Sequence, residues 1–361
     1  MAKRVCYCLT ARSPFHFGER GVGMEEASVI LHSDTLFSAL CLMLLELGED
    51  LDGLLGDFPR VYFEDGNPPK ALPGNSPFLL SSAFPFWARA IEKEVERVFL
   101  FPKPFLKLQR QTEADPKQAK NLKKVQFVSQ SIFESWLTGK LLDFREEDLI
   151  QGKKVWVAPS EKKAMGVDRL WFEDTQPHVS VDRASSASQV YAVGRVRFVG
   201  RSGLFFLVDY IDEAWRPVLE KALRALGDSG VGGDRSSGNG QFELEILEDF
   251  SLALPENAKA FATLSLFWPS ESETQSGILS KASYGLIQRR GWIGAQGGMN
   301  LRRRAVRMLT EGSVFLREPA GALVDVKPLD PEEVPNVSHD VWRYGLAFTV
   351  PCLRHAEEKD G

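Results

Sequence analysis

The apolar positions near the start of the chain follow two different periods. Residues 4–11, "RVCYCLTA", are β-branched and aromatic enough to predict a first strand. A loop punctuated by Gly and Pro follows, and the apolar positions then repeat at helical spacing from residue 36 until Gly48 ends the pattern. Ser33 or Asp34 can cap the free N–H groups of this helix. The chain is therefore predicted to open with a strand, a loop and a helix.

The segment from residue 68 to about residue 131 is irregular and rich in Pro and Phe. "VERVFLFPKPFLKL" and "KKVQFVS" are typical of extended segments, and the polar stretch "QRQTEADPKQAKN" separates them. The pattern predicts a long hairpin-like insertion over residues 78–131, with a basic tip that can reach across a nucleic-acid backbone. A mobile surface loop is the alternative interpretation.

A short polar link at residues 177–188, "PHVSVDRASSAS", predicts a domain boundary. It separates an N-terminal domain of residues 1–180 from a C-terminal domain of residues 185–361. After the link come two strand patterns, an amphipathic helix that begins near Asp212, a glycine-rich stretch and another strand pattern. This order favours the α+β class, with a ferredoxin-like βαββαβ unit in each domain.

Composition agrees with a globular chain of two domains, because 361 residues with 43% apolar content exceed what one core usually organises. The N-terminus lacks the apolar region of a signal peptide, and the most apolar run is too short to cross a membrane, so a cytoplasmic protein is expected. The four cysteines form no C-x-x-C pair. A structural metal site, a disulfide framework and a cofactor are therefore not expected.

The charge distribution points to an anionic ligand although the net charge is −5. Residues 274–310 contain no acidic residue and seven Lys or Arg, and residues 101–124 carry seven Lys or Arg against two acidic residues. Local basic surface on an acidic protein can bind an anion on one face. Solvated basic faces without a ligand are the alternative.

The glycine-rich stretch at residues 230–240, "GVGGDRSSGNG", is the strongest motif of the chain. Gly233 and Gly238 have the spacing of a phosphate-binding Walker loop, but Asn239 stands where that motif requires Lys. The predicted helix also precedes the loop instead of following it, which argues against nucleotide hydrolysis. Backbone N–H groups with Arg235 and two serines can still bind phosphates, whereas a plain flexible connection is the alternative.

Several motifs together resemble a known family. They are "SPFHFG", "HSDTLFSAL", "SSAFPF", "FPKPF", "PHVSVDR", "GVGGDRSSGNGQF" and "RRGW", and the match as a whole covers roughly residues 5–292. The chain resembles the Cas5-like capping subunits of type III-A (Csm) CRISPR effector complexes, which belong to the RAMP superfamily. The equivalent type III-B subunits are the nearest alternative.

The resemblance implies two ferredoxin-like, RRM-related domains, with the hairpin insertion acting as a thumb. It implies a non-catalytic subunit in antiviral defence that grips the 5′ repeat-derived handle of the crRNA. The implied partners are the large polymerase-family subunit, a backbone RAMP subunit and target RNA near the handle–guide junction. The hairpin would displace a nucleotide at that junction.

Residue chemistry supplies candidates for RNA contact. Backbone donors, basic groups and flat rings suit single-stranded RNA, and a helix N-terminus attracts anions. The RNA-binding candidates are His16, Gly18, Ser33, Thr35, Arg183, Gly230, Gly232, Gly233, Arg235, Ser236, Ser237, Gly238, Gly240, Arg289, Arg290 and Trp292. The candidates on the thumb hairpin are Phe101, Lys103, Phe105, Lys107, Lys123 and Lys124.

Two other functions fit the same sequence. A metal-independent endoribonuclease would use His16 as general acid and base, with His178 as a weaker candidate. The adjacent residues of "HSD" at 32–34 do not form a catalytic triad, because real triads assemble distant segments. A scaffold whose basic patches meet acidic protein surfaces would make no RNA contact at all.

Overall fold

The computed structural model describes residues 3–18, 27–63, 69–92, 94–109, 116–181, 188–294, 300–328, 337 and 339–354. Over these residues the chain is a mixed α+β structure with several sheets, as the sequence predicts. The helices are α1 (Ser33–Glu46), α2 (Leu51–Asp57), α3 (Pro116–Lys124), α4 (Gln130–Leu137), α5 (Pro159–Met165), α6 (Trp215–Ser229) and α7 (Glu271–Gln275). Short 3₁₀ turns occupy Glu146–Asp148, Gln151–Lys153 and Arg235–Ser237.

Many of the strands are short. The first half contains β1 (Lys3–Ala11), β2 (Arg60–Tyr62), β3 (Lys70–Leu72), β4 (Phe78–Leu80), β5 (Phe84–Ile91), β6 (Glu94–Pro102), β7 (Phe127–Ser129), β8 (Leu149–Ile150), β9 (Val155–Trp156), β10 (Trp171–Val181) and β11 (Ser188–Phe198). The second half contains β12 (Gly203–Tyr210), β13 (Phe242–Leu247), β14 (Ala260–Thr263), β15 (Leu286–Arg289), β16 (Trp292–Gly294), β17 (Asn300–Arg302), β18 (Val306–Leu309), β19 (Val314–Phe315), β20 (Leu323–Asp325), β21 (Trp342–Tyr344) and β22 (Thr349–Cys352).

The largest sheet has the strand order β13–β1–β12–β5–β6–β7–β9–β8, with β4 also paired to β12. β1 lies next to the edge strand β13 and is antiparallel to both neighbours, with Cys6 opposite Leu207 of β12 on one side and Leu247 of β13 on the other. Alternate residues of β1 are buried in different cores, because successive side chains of a strand point to opposite faces. Val5, Tyr7 and Leu9 pack with the apolar residues of α1 and α6, whereas Cys6 and Cys8 pack with the aromatic residues of β5, β6 and β12.

The predicted first helix is confirmed as α1, whose apolar stripe is buried against the sheet and α6. The predicted cap at Ser33 or Asp34 is not present. His32 is the residue that precedes the first helical turn, and it makes no side-chain cap. Ser33 and Asp34 are the first helical residues and are buried, so their side chains are available for contacts with the rest of the protein.

The sequence predicts the domain boundary within residues 177–188. The described part of this stretch, residues 177–181 and 188, lies at one end of a long hairpin. β10 and β11 pair along their whole length, from Trp171 opposite Phe198 to Val181 opposite Ser188. Beyond this hairpin the chain returns to the largest sheet, where β12 and β13 lie on either side of β1. Strands from both sides of the predicted boundary therefore share one sheet, and the glycine stretch is the loop that leads into β13 of that sheet.

The predicted hairpin at residues 78–131 is also different in the structure. β5, β6 and β7 are consecutive strands of the largest sheet, and α3 lies between β6 and β7. The pairing of the two extended segments is real but short, because only Leu100, Phe101 and Pro102 pair with β7. The long two-stranded arm of the molecule is formed by β10 and β11 instead. We call this pair the arm.

The chain after β13 forms smaller sheets, with the orders β19–β14–β22, β15–β18 and β16–β17. A fourth sheet, β21–β20–β2–β3, joins this part to the N-terminal half through the parallel pair of β2 and β20. Within the described ranges, no helix has both the length and the apolar character needed to cross a bilayer.

Candidate nucleic-acid interface

A cleft of about 400 Å³ lies where three distant segments of the chain meet. The first segment is the loop after β1 together with the start of α1, the second is the glycine loop between α6 and β13, and the third follows β15. Arg303 and Arg343 complete the lining. The cleft therefore depends on side chains from both halves of the chain.

The glycine loop is held against the loop after β1 by main-chain hydrogen bonds. The N–H of Gly233 donates to the carbonyl of His16 at 2.9 Å, and the N–H of Gly240 donates to the carbonyl of Pro14 at 2.8 Å. His16 Nδ1 lies 2.6 Å from the carbonyl oxygen of Gly194 on the arm, so Nδ1 carries a proton. These bonds fix the position of the imidazole at the edge of the cleft.

Several loop glycines are required by packing within the protein. A Cβ at Gly233 would lie 2.6 Å from the His16 ring, and at Gly240, where φ is +86°, a Cβ would lie 2.2 Å from the carbonyl oxygen of Val231. Packing within the protein alone therefore excludes larger residues at both positions, whether or not a ligand binds the loop. The loop is closed further by Asp234, whose carboxylate accepts from Ser237 Oγ at 2.8 Å and from Asn239 Nδ2 at 2.7 Å.

A cluster of arginines surrounds Asp34 at the start of α1. Arg289 donates to both carboxylate oxygens of Asp34 at 2.9 Å, and Arg343 also donates to the carboxylate. All three side chains are buried. Burial alone would raise the pKa of Asp34, but the two guanidinium groups hold it well below its ordinary range. Asp34 is therefore ionised at neutral pH.

Arg303 adds a third cation to this cluster. Burial lowers the pKa of Arg303 to about 10, and the neighbouring charges of Arg343 and Arg289 act in the same direction. Arg303 forms no ion pair with any residue in the described part of the chain. Arg289 and Arg343 thus use the carboxylate of Asp34 while Arg303 lies beside them, so positive charge prevails at this end of the cleft among the described residues.

A buried hydrogen-bonded pair, His32 and Glu311, also lines the region around the cleft. His32 Nδ1 is 2.7 Å from Glu311 Oε1, and Ser82 donates to the same oxygen. Burial alone would raise the pKa of Glu311, but His32 and Ser82 keep it below its ordinary value. His32 lines the cleft, and its Nε2 is buried without a hydrogen-bond partner among the described residues.

The outer part of the cleft carries the groups that a ligand meets first. Arg235 and Arg290 are exposed, and Trp292 is 47% exposed. The guanidinium of Arg302 lies 5.0 Å from the centre of the Trp292 ring. A flat ring next to mobile cations can stack a base while the cations bind phosphates.

Most of the predicted RNA-binding residues meet in this cleft. Its lining includes His16, Gly18, Thr35, Gly230, Gly232, Gly233, Arg235, Arg289, Arg290 and Trp292. Ser236, Ser237 and Gly238 are exposed on the same loop outside the lining, and Gly240 is buried beneath it. Ser33 is the exception, because it is fully buried and its Oγ accepts from the N–H of Leu266. Arg183 lies outside the described residues.

The residues predicted for a thumb do not form one surface with the cleft. Phe101 is buried and stacks on Phe133 with ring centres 4.6 Å apart, so a contact with RNA through Phe101 is ruled out. Lys103 is half-buried and donates to the carbonyl of Leu122 at 2.9 Å, and its burial lowers its pKa. Phe105, Lys107, Lys123 and Lys124 are exposed. Phe105, Lys107 and Lys123 line a separate open groove of about 660 Å³, and Lys124 lies outside that lining.

Four side chains of the cleft lining are not predicted from the sequence as candidates for ligand contact. The sequence indicates only a helix cap at Asp34, and it shows Arg303 only as part of a basic run. His32 and Arg343 carry no signal, because their partners Glu311 and Asp34 lie 279 and 309 residues away in sequence. Within the described part of the chain, no group of three or more His, Cys, Asp or Glu side chains is placed to hold a metal ion.

Comparison with known proteins shows which families this chain is similar to. A model of the CRISPR Csm4 C-terminal domain matches residues 256–352, and a model of the CRISPR-associated protein family Cas_Cmr3 matches residues 87–236. The Csm4 protein of Methanocaldococcus jannaschii is 25% identical over an alignment of 389 residues that covers 94% of each chain. The Csm4 protein of Mycobacterium tuberculosis is 29% identical over 314 residues, covering 86% of this chain and 88% of the relative.

The chain is similar to Csm4 proteins over most of its length. Solved structures agree with this similarity at the level of the fold. A chain from a Csm3–Csm4 subcomplex of a type III-A CRISPR-Cas interference complex matches with a TM-score of 0.58 and 20% identity, covering 97% of this chain and 99% of the other. A chain from a Csm1–Csm4 cassette bound to cA4 matches with a TM-score of 0.55 and 19% identity, covering 98% and 99%.

Proposed function

We propose that this chain is a non-catalytic subunit of a type III-A CRISPR effector complex and that it binds the 5′ repeat-derived handle of the crRNA. The cleft is the observation that carries the proposal. It combines the exposed cations Arg235 and Arg290 with the exposed ring of Trp292 beside a glycine loop. Single-stranded RNA requires such cations for its phosphates and such rings for its bases.

In this proposal the cleft belongs to a ferredoxin-like unit. Its elements in chain order are β1, α1, the pair β4 and β5, β12, α6 and β13. The sheet order β13–β1–β12–β5 supports this reading, since the two central strands are the first and third of a strand–helix–strand–strand–helix–strand unit. The glycine loop joins the second helix to the last strand. A second ferredoxin-like domain in the C-terminal part stays a prediction.

The arm replaces residues 78–131 as the proposed thumb. Its inner half is held to the protein, because Val193 and Val196 are buried and Phe15 pairs with Val196. Its outer half is exposed and apolar, with Val179 60% and Val190 69% exposed. Apolar side chains on a projecting element can separate stacked bases, which is the action required at the handle–guide junction.

The proposal includes two protein partners. The similar solved chains come from assemblies described as a Csm3–Csm4 subcomplex and as Csm1–Csm4 cassettes. We assign to this chain the corresponding position between a backbone RAMP subunit and the large polymerase-family subunit, close to target RNA at the handle–guide junction.

Charge reversal at the outer cleft tests the proposal. The double variant Arg235→Glu with Arg290→Glu should assemble normally but retain at least tenfold less crRNA, since each lost charged contact is worth roughly 1.5–3 kcal/mol. Arg224→Glu is the matched control, because Arg224 is exposed on α6 and is not part of the cleft lining. Equal crRNA retention by the double variant and the control would show that this cleft is not the handle site.

The same purified protein can be tested for endoribonuclease activity. His16 and His32 both line the cleft, so a general acid or base is available there. Incubation of the purified chain with repeat RNA should give no specific cleavage. Cleavage that disappears in His16→Ala or His32→Ala would replace the binding function with an enzymatic one.

A further inference from the structure

Within the described part of the chain, the inner end of the cleft contains more positive charge than acidic side chains neutralise. Asp34 accepts from Arg289 and Arg343, and this arrangement uses both of its carboxylate oxygens. Arg303 is the third guanidinium of the cluster, and Asp34 is the one acidic group that acts to raise its pKa. The positive charge of Arg303 is therefore left without a carboxylate of its own among the described residues.

The Arg303 side chain is half-buried, and the cluster is incompletely hydrogen-bonded. The Nε atoms of Arg303 and Arg343 are both buried and lack a partner among the described residues. Arg343 uses its other nitrogens for Asp34 and for the carbonyl of Arg290 at 3.2 Å. Taking guanidinium groups out of water without a matching anion is unfavourable, because burial removes their hydration without replacing it.

We propose that this arginine cluster is a phosphate-binding pocket, and that Arg303 is the residue that binds a phosphate group of the RNA chain there. The inference rests on the proposed RNA-binding function and names a contact within it. A phosphate supplies anionic oxygens for buried N–H donors, and guanidinium groups match it in shape as well as in charge. Asp34 then acts as a positioning residue that holds Arg289 and Arg343 at the pocket wall.

Other anions fit this pocket less well. A carboxylate of a partner protein would neutralise Arg303 but would not use the rest of the cleft. The pocket is continuous with the outer cleft, where Arg290 and Trp292 are exposed, so a ligand that reaches it extends past further cations and a ring. A chain that carries regularly spaced anions and flat bases meets both requirements, as single-stranded RNA does.

The proposal predicts that Arg303→Met raises the unfolding temperature of the free protein and lowers its affinity for RNA. Arg303→Met removes a half-buried charge that has no ion-pair partner among the described residues, but it keeps much of the side-chain volume. The free protein should therefore unfold at a higher temperature than the wild type. Its affinity for single-stranded RNA should fall by roughly tenfold or more, as expected when a charge-assisted hydrogen bond is lost. The slope of log K against log salt concentration should decrease in magnitude by about 0.7, the value for one phosphate contact on a single strand.

Two further variants make the result specific. Arg303→Lys keeps the charge and should recover part of the RNA affinity lost in Arg303→Met. Arg224→Met removes an exposed charge from α6, outside the cleft lining, and should leave unfolding temperature and affinity close to the wild type. Recovery by Lys separates the loss of a cation from a change in packing.

Inorganic phosphate distinguishes failure of this inference from failure of the proposed function. At matched ionic strength, phosphate should raise the unfolding temperature of the wild type more than chloride does, and this difference should shrink in Arg303→Met. If the wild type shows this difference but binds no RNA, the pocket stands and the proposed function fails. If Arg303→Met is less stable than the wild type and binds RNA and phosphate equally well, the cluster is purely structural and the inference is wrong.

Discussion

Replacement of Asp34 by Asn should strongly destabilise the protein. The carboxylate of Asp34 is fully buried and is the shared acceptor of Arg289 and Arg343. Removing one partner of such a network leaves buried guanidinium groups uncompensated, which costs about 3–5 kcal/mol. A typical domain has only about 5–15 kcal/mol of unfolding free energy, so the change should be visible as a large fall in the midpoint of urea unfolding.

The effect should depend on pH with a defined sign. The pKa of Asp34 is lowered in the folded state, so its contribution is fully present above the ordinary carboxyl pKa of about 3.9 in the unfolded chain. The contribution decreases as the pH falls below that value towards the folded pKa. The difference between wild type and Asp34→Asn should therefore be constant from pH 5 to 8 and should narrow only in stronger acid.

Urea titrations followed by tryptophan fluorescence measure this difference at each pH. Asp228→Asn is the control, because Asp228 pairs with Arg12 at 3.0 Å on the surface and exposed pairs are worth about 0–1 kcal/mol. Arg303→Met should reduce the penalty of Asp34→Asn, because one fewer cation then lacks its counter-charge. A penalty below about 1 kcal/mol for Asp34→Asn, or one that grows as the pH falls from 7 to 4, would show that the Asp34 carboxylate does not neutralise the cluster.

Three other predictions concern single side chains. Trp292→Ala should weaken single-stranded RNA binding by about 1–3 kcal/mol in a fluorescence anisotropy titration and change the urea midpoint little, because the ring is 47% exposed; unchanged affinity would exclude stacking. Phe101→Ala should lower the unfolding free energy by about 3–5 kcal/mol, because the ring is buried and stacked on Phe133, with RNA affinity preserved under folding conditions. Gly240→Ala should destabilise the loop, because φ is +86° and a Cβ would overlap the carbonyl of Val231, and a wild-type midpoint would contradict this packing.

Local patterns predict the elements of this fold better than their arrangement. Helix α1 and strand β1 carry strong periodicities, and the structure contains both. The segment around residues 177–188 is polar and therefore indicates a link between domains, but it contains the end of the arm. Val179 and Val181 alternate with polar residues there, but both valines are exposed, so their alternation does not mark a face packed on a core. The domain boundary at this segment stays a prediction.

The candidate site shows the same limit at the level of side chains. The glycine loop, Arg235 and Trp292 can be predicted because composition and short motifs mark exposed ligand-binding positions. Asp34, Arg303 and Arg343 cannot be predicted in this way, because they become important only when the fold brings their side chains close together. An acidic residue in a first helical turn has the sequence pattern of a cap, and only the fold shows that two distant guanidinium groups use its oxygens.

This long-range pairing links ligand binding to the docking of the C-terminal part. Arg343 belongs to β21, which joins the sheet β21–β20–β2–β3, and its ion pair with Asp34 connects that sheet to the start of α1. Thr35, next to Asp34, accepts from Arg289, so the third segment of the cleft is held through the same contact. Loosening of the C-terminal part would separate the cations from the glycine loop even if the largest sheet stayed intact. The affinity of the cleft for an anionic chain should therefore follow the stability of this C-terminal docking, and not the stability of the largest sheet alone.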